Sequence, residues 1–208
     1  MERRTKWAAF SIAACLGAAG VHAEDEGFYA GLALGKFKQS VQSGDWVVYD
    51  AGSGSVVPGI RIDSDNGDLG GALSLGYRLN RYFAAELSFL NAGTADQTNR
   101  FGNLGTATRS AQITGPVLSV LPSFELGSNV RAYVRTGVLF AHEKFEYEGG
   151  YSETLGDTTW IAGAGLEYTL TDRWNMNVEY LRSGDLDEPA DSGGNHLSGL
   201  TLGVKYKF

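Results

Sequence analysis

Residues 197–208 read LSGLTLGVKYKF. In an extended chain, side chains alternate between two faces. Leu200, Leu202, Val204, Tyr206 and Phe208 then share one face, and Gly199, Thr201, Gly203, Lys205 and Lys207 share the other. One face is wholly apolar; the other is small, polar or cationic. That division suits a strand with hydrocarbon on one side and a polar lumen on the other.

Working outward from this strand, the same two-residue alternation recurs. It is broken at regular places by turn chemistry, with no helical period after the first residues. Glycine is abundant (29 residues) and proline scarce (4), as strands joined by turns require. The pattern predicts eight strands, at about 27–38, 68–79, 82–94, 112–126, 130–145, 158–170, 174–183 and 197–208. The expected outward sets include Phe28, Ala30, Leu32 and Leu34 in the first strand and Leu69, Leu73, Leu75 and Tyr77 in the second. In the seventh strand they include Trp174, Met176, Val178 and Tyr180. Pro116 and Pro122 blur the fourth strand, because each removes a ladder donor. The favoured register there puts Leu118, Val120 and Phe124 outward, and Ser119, Ser123 and Glu125 inward.

Asn80-Arg81, Gly127-Ser128-Asn129 and Thr171-Asp172-Arg173 are tight turns, and long loops are expected near 39–67, 95–111, 146–157 and 184–196. Short turns on one side and long loops on the other are the asymmetry of an outer-membrane barrel with both termini in the periplasm. An even strand count lets the last strand close on the first, so no edge is left open in lipid. The expected fold is all-β: an eight-stranded antiparallel up-and-down transmembrane β-barrel. A periplasmic aromatic girdle would comprise Phe28, Tyr77, Tyr82, Phe124, Tyr168, Trp174, Tyr206 and Phe208. The opposite band would comprise Phe37, Phe89, Phe140, Trp160 and Tyr180. The rival fold is a soluble eight-stranded barrel of the lipocalin kind, whose polarity is reversed, with an apolar interior and a charged exterior.

The first residues read as a secretory signal. Arg3, Arg4 and Lys6 precede an apolar run that is too short to span a bilayer, and Val21-His22-Ala23 offers a cleavage site. The expected organisation is a cleaved signal peptide at 1–23 and one outer-membrane barrel domain at 24–208. A lipoprotein signal at Cys15 is the alternative. Cys15 is the only cysteine, so its loss with the signal would exclude disulfides, thiolate metal sites and cysteine catalysis. The formal charge of −7 makes a nucleic-acid partner a poor fit.

Ala162-Gly163-Ala164-Gly165-Leu166-Glu167-Tyr168, then Thr171-Asp172-Arg173-Trp174 and Val178-Glu179-Tyr180, resemble the OmpA-like outer-membrane protein β-barrel family. Gly27-Phe28-Tyr29-Ala30-Gly31 and the closing Leu202-Gly203-Val204-Lys205-Tyr206-Lys207-Phe208 are similar to that family's first and last strands. The resemblance implies residence in the outer membrane of a Gram-negative bacterium, handling by the barrel-assembly machinery, and a terminal Phe that serves as an assembly signal. It implies lipid and lipopolysaccharide contact and a monomeric state. It also implies one of several roles: envelope stabilisation, adhesion to a host or cell-surface ligand, or a small pore. The peptidoglycan-binding domain of some members is not expected here.

The inward faces gather charge. The expected interior network comprises Arg78, Glu86, Glu125, Arg131, Arg135, Glu167, Glu179, Lys205 and Lys207. Unpaired charges in a narrow lumen would be costly, so a salt-bridge network is expected, either plugging the barrel or lining an ion path. Loop acids form a second cluster: Asp63, Asp65, Asp68, Glu146, Glu148, Glu153, Asp157, Asp185, Asp187, Glu188 and Asp191. Asp63-x-Asp65 opens like a calcium loop but lacks a downstream Glu in register. No metal, cofactor or catalytic residue is therefore assigned. His196-x-Ser198 is similar to the His-x-Ser pair of lipid A deacylases, yet no acid follows to orient the histidine, and Gly199 stands where that family has Asn. A non-enzymatic role is expected. Trp46 and Tyr49, beside Val47 and Val48, are the candidate loop contact.

Overall fold

The structure is a computed structural model that describes residues 26–40, 60–65, 67–101, 106–147, 152–186 and 195–208. Its strands are β1 (Gly27–Ser40), β2 (Ile60–Asp65), β3 (Gly67–Asn80), β4 (Phe83–Phe101) and β5 (Thr106–Glu125). They continue as β6 (Val130–Tyr147), β7 (Ser152–Thr169), β8 (Trp174–Leu186) and β9 (Asn195–Lys207). From β3 to β9 each strand pairs antiparallel with the next along the chain, and β1 pairs with both β3 and β9. The ladder is thereby closed. β2 pairs with β4 on the same edge as β3, one residue out of its register, so β2 and β3 act as one barrel strand and the barrel has eight.

Closure is reinforced at the periplasmic end. The Phe208 amide donates to the Phe28 carbonyl at 3.0 Å, and the Lys207 amide donates to Arg173 at 2.8 Å. Phe28 meets Tyr77 edge-on at 4.8 Å, and Trp174, Tyr206 and Phe208 stack edge to face in sequence. Such edge contacts suit the quadrupoles of aromatic rings. Phe28, Tyr77, Tyr82, Phe124, Tyr168, Trp174 and Phe208 are all exposed, and Tyr206 is half-buried between its neighbours.

The outer wall of the lower barrel is apolar throughout. Leu69 is 76% exposed and Leu73 64%, and Leu87, Leu118, Leu166 and Leu202 are likewise uncovered. A water-soluble monomer would not present such a continuous belt. Above the belt the polarity inverts while the alternation continues. On β6 the outward series passes from Val134, Val138 and Phe140 to His142, Lys144 and Glu146, and the inward series passes from Tyr133 and Arg135 to Leu139, Ala141 and Phe145, with Glu143 buried between the last two. β1, β8 and β9 turn over in the same way, at Lys36, Arg182 and Ser198.

Three expectations are corrected here. The long loops shrink: strands run through most of 95–111 and 146–157 and begin again at Ile60 and Asn195. These stretches looked irregular because a reversed phase of apolar residues cancels the alternation when read along the chain. Phe37 does not belong to the outer aromatic band. Its odd parity turns it inward, where it is 1% exposed. Several supposed loop acids lie on strands and serve the backbone. Asp68 accepts from the Thr94 amide at 2.8 Å and from the Leu69 amide at 2.6 Å beside the β4 bulge, and Asp157 accepts from the Thr158 amide.

The lower interior is fitted by tyrosines lying over glycines. Tyr29 is the ladder partner of Gly76, and Tyr133 is that of Gly165. A Cβ on Gly76 would stand 2.1 Å from the Tyr29 ring, and one on Gly165 2.5 Å from the Tyr133 ring. Each glycine opens the space that lets an aromatic ring lie flat across the neighbouring strand. Gly76→Ala should therefore destabilise the barrel by about 1–3 kcal/mol through overpacking. Gly156→Ala, whose Cβ would meet nothing within 4 Å, should change stability by less than about 1 kcal/mol. Urea unfolding in lipid vesicles measures both.

Candidate functional site in the barrel interior

The alternation that turns leucines to lipid turns polar residues of all eight barrel strands into the lumen. Arg135, on β6, stands at the centre. Its guanidinium grips Glu179 on β8 with two nitrogens, one of them at 3.1 Å. Its third nitrogen reaches Glu86 on β4 at 2.8 Å and Ser119 on β5 at 3.2 Å. Glu86 also accepts from the Tyr29 hydroxyl at 2.9 Å, and Glu179 from the Tyr133 hydroxyl at 2.9 Å. Asn177 donates to the same Tyr133 oxygen. Each carboxylate thus has several donors, as a buried anion requires.

Glu167, on β7, organises the layer below. It takes Arg78 at 2.9 Å and Arg131 at 3.2 Å on one oxygen, and Lys205 at 3.4 Å on the other. Lys205 also approaches Glu86 at 3.6 Å and so joins the two carboxylates. Its ammonium lies 5.1 Å from the ring centroids of both Tyr29 and Tyr133. Two aromatic faces and two carboxylates therefore hold one cation. Glu86, Glu167 and Glu179 are buried, as are Arg135 and Lys205.

Glu125 joins the expected network only at its edge, through Arg131. It lies at the periplasmic mouth, 46% exposed, and reaches Arg131 at 3.6 Å. The turn follows directly after it, so its side chain meets bulk water. Lys207 is half-buried beside the same mouth and is engaged there. Trp46 and Tyr49 lie outside the described residues.

Above the ion pairs is a layer that inward parity alone did not suggest. Phe37, Leu90, Ile113, Val117, Leu139 and Ile161 meet across the lumen, joined by Leu181 and Leu197. Leu139 and Ile113 are fully buried. Between the two layers is a cavity of about 40 Å³, lined by Ser74, Glu86, Ser88, Arg135, Asn177 and Thr201 among others. At ~15 Å³ per site it holds about two or three waters. The available signal was the recurring apolar residue at inward parity beyond the membrane belt, as in Leu139, Ala141 and Phe145.

Among the described residues no group of acids, histidines and cysteines could hold a metal ion. His196 and Ser198 share one face of β9, and Asp185 stands opposite His196 in the β8 ladder, an acid that the linear sequence did not pair with it. No hydrogen bond among the described residues joins His196 to Ser198 or Asp185.

Removing Arg135 would strand two buried carboxylates. Arg135→Met should cost about 3–5 kcal/mol in urea unfolding, and adding Glu179→Gln should recover part of it.

The comparisons with known proteins agree with this architecture. The model of the outer membrane protein beta-barrel domain family matches residues 8–208. Neisserial surface protein A superposes with a TM-score of 0.54 at 15% identity, covering 87% of this chain and 97% of that one. The attachment invasion locus protein Ail of Yersinia pestis gives 0.49 at 17% identity, covering 88% of this chain and 99% of Ail. The N-terminal barrel of Pseudomonas aeruginosa OprF gives 0.47 at 17% identity, covering 88% and 98%. No curated protein matches by sequence. With a closed eight-stranded ladder, an apolar outer belt and a charged interior, the chain is an outer-membrane β-barrel of Gram-negative type and belongs to the outer membrane protein beta-barrel domain family.

Proposed function

We propose that this protein is a sealed, non-enzymatic barrel that serves envelope integrity or surface interaction, with its extracellular strands and loops as the working face. The observation that carries this reading is the double filling of the lumen. A path for ions would have to cross the ion-paired layer around Arg135 and then the apolar layer around Phe37 and Leu139. The two barriers differ in kind. The lower one is polar and could admit water if a pair opened, whereas the upper one is walled mainly by apolar side chains, which give water few partners. Supporting a surface role, β4, β5, β6 and β7 continue past the apolar belt, so the outward face of the upper barrel is polar and open to solvent. An extended strand end of this kind presents backbone and side chains to a partner on a rigid scaffold.

The pore reading makes a different demand on the same residues. Wild-type protein should give no steady openings in planar bilayers. Glu86→Ala alone should stay silent, because the apolar layer is intact. Glu86→Ala combined with Phe37→Ser and Leu139→Ser should conduct. Steady wild-type openings that change in Glu86→Ala would instead establish an ion path.

Expression in a Gram-negative host should leave the acyl pattern of lipid A unchanged in mass spectra. A deacylated product that disappears with Ser198→Ala would overturn the non-enzymatic reading.

A further inference from the structure

β7 parts from β8 partway up the wall. The lower part of β7 pairs with β8 from Thr169 to Ile161, and that ladder ends where Ile161 meets Ser183. Above this point β7 continues to Ser152 in pairing with β6. The cause is a bulge on β8. Arg182 stands opposite Ser198 and Asp185 opposite His196, so Ser183 and Gly184 oppose Leu197 alone on β9. The Ser183 hydroxyl fixes the bulge: it accepts from the Leu197 amide at 2.9 Å and donates to the Gly184 carbonyl at 2.8 Å. A bulge bends its strand and ends pairing on one side. Here β8 turns with β9 and leaves β7. Trp160 lies at the foot of the split, where a Cβ on Gly184 would stand 2.4 Å from the indole nitrogen.

The split leaves one edge of β7 open over Ser152–Trp160, with no ladder partner on that side among the described residues. A Cβ on Gly115 would stand 2.0 Å from the Phe140 carbonyl oxygen, so Phe140 turns its backbone groups to β5. Thr158, opposite Phe140, therefore turns its own to the open side. By the same alternation, Ser152, Thr154 and Gly156 do so too, and all four are exposed. The Thr158 amide is met there by the carboxylate of its neighbour Asp157 at 2.6 Å. An edge of this kind is a template for one more strand, and natural edges are commonly blunted with lysine or proline. Residues 152–160 read SETLGDTTW, which contains neither. The segment has two acids and no base. Glu153, Leu155 and Asp157 share its luminal face and are half-buried.

Given the surface-interaction role proposed above, we infer that the open edge of β7 binds an extended basic segment of another protein as an added antiparallel strand. Directly opposite residues in an antiparallel pair share a face, and opposite charges there attract. The incoming residues that face Asp157, Leu155 and Glu153 are then a cation, an apolar residue and a cation. The partner's pattern is Lys/Arg-x-apolar-x-Lys/Arg, with small or polar residues at x beside Thr154 and Gly156. The arriving cation draws the Asp157 carboxylate off the Thr158 amide, and that amide donates to the new strand. An acidic segment would instead set like charges opposite each other at both positions. Main-chain bonds supply the affinity, and the two acids supply the preference.

The test uses the full chain folded in lipid nanodiscs and the fluorescence anisotropy of a labelled peptide, TKTVTKT. The comparison peptides are the same sequence N-methylated at its third and fifth residues, the acidic TETVTET, and TKKVTTT, which has the same composition in another order. Wild-type protein should bind TKTVTKT, with the N-methylated and acidic forms about tenfold weaker and the reordered form about threefold weaker. Glu153→Gln and Asp157→Asn should each weaken binding of TKTVTKT about threefold, and Glu146→Gln, on the outer face of β6, should leave it unchanged. Bound peptide should also slow hydrogen exchange at the Thr154 and Gly156 amides. No binding of TKTVTKT up to about 1 mM overturns the assignment, as does equal binding of the N-methylated form, and neither comparison needs a variant to fold. An equal loss in Glu146→Gln would mean general acidity and would overturn it too. Binding that leaves exchange on β7 unchanged overturns the edge site but keeps the surface-interaction role. Steady channel openings or an altered lipid A pattern would remove that role's basis through readouts independent of the peptide.

Discussion

Hydrocarbon offers no partner for a backbone amide or carbonyl, so a strand structure can cross it only if the ladder has no end. Everything else in this molecule is arranged around that constraint. β1 and β9 close the seam over a long, unbroken register, and the consecutive strands β4 and β5 complete the ring around a single bulge. Once the ring is closed, the period of two leaves each side chain only one choice, lipid or lumen. A residue's parity then decides its chemistry. That is why Glu86, Arg135, Glu167, Glu179 and Lys205, far apart in sequence, arrive in one small space, and why they must satisfy one another there.

Closure does not explain what happens above the bilayer. There the same strands keep their ladder but exchange solvents. Water replaces lipid outside, and the outward face of β6 turns to His142, Lys144 and Glu146. The interior responds in kind, filling with Phe37, Ile113, Leu139 and Ile161. The upper barrel is therefore stabilised by burial of apolar side chains, as in a soluble barrel, and the lower one by its membrane belt and its ion pairs. The soluble alternative weighed from the sequence describes the top of the molecule, and the transmembrane reading describes the bottom. The height of the inversion marks the outer edge of the hydrocarbon from within the sequence itself.

This also explains what could be read in advance and what could not. Residues 197–208 and 174–183 revealed their two faces because they lie almost wholly within the belt, where apolar outward parity is uninterrupted. The inward charges followed from the same parity. The upper ends of β4, β5 and β7 read as loops because the alternation weakens where the inward parity turns apolar, as Leu139 and Ala141 show on β6, the strand whose pattern reads through to 145. Averaged along the strand, the two phases cancel. Partnerships were beyond reach for a further reason. That Tyr29 lies over Gly76, or that Asp185 faces His196, depends on register, and register is a relation between strands that no single strand's pattern encodes.

The two interior layers differ in what a perturbation does to them. The ion-paired layer is cooperative: Lys205 touches both Glu86 and Glu167, and Arg135 touches both Glu86 and Glu179, so loss of one member leaves charge uncompensated on at least two strands. Such a network fixes the register of the strands it joins, because a slip of one residue would turn every member out to lipid. The apolar layer carries no such directional demand and tolerates exchange of one hydrophobic residue for another of similar size. Register is thus specified where the bilayer makes a slip most costly, and water is excluded where the lumen first meets the outside. Separating the two tasks lets the extracellular ends vary without loosening the ring beneath them.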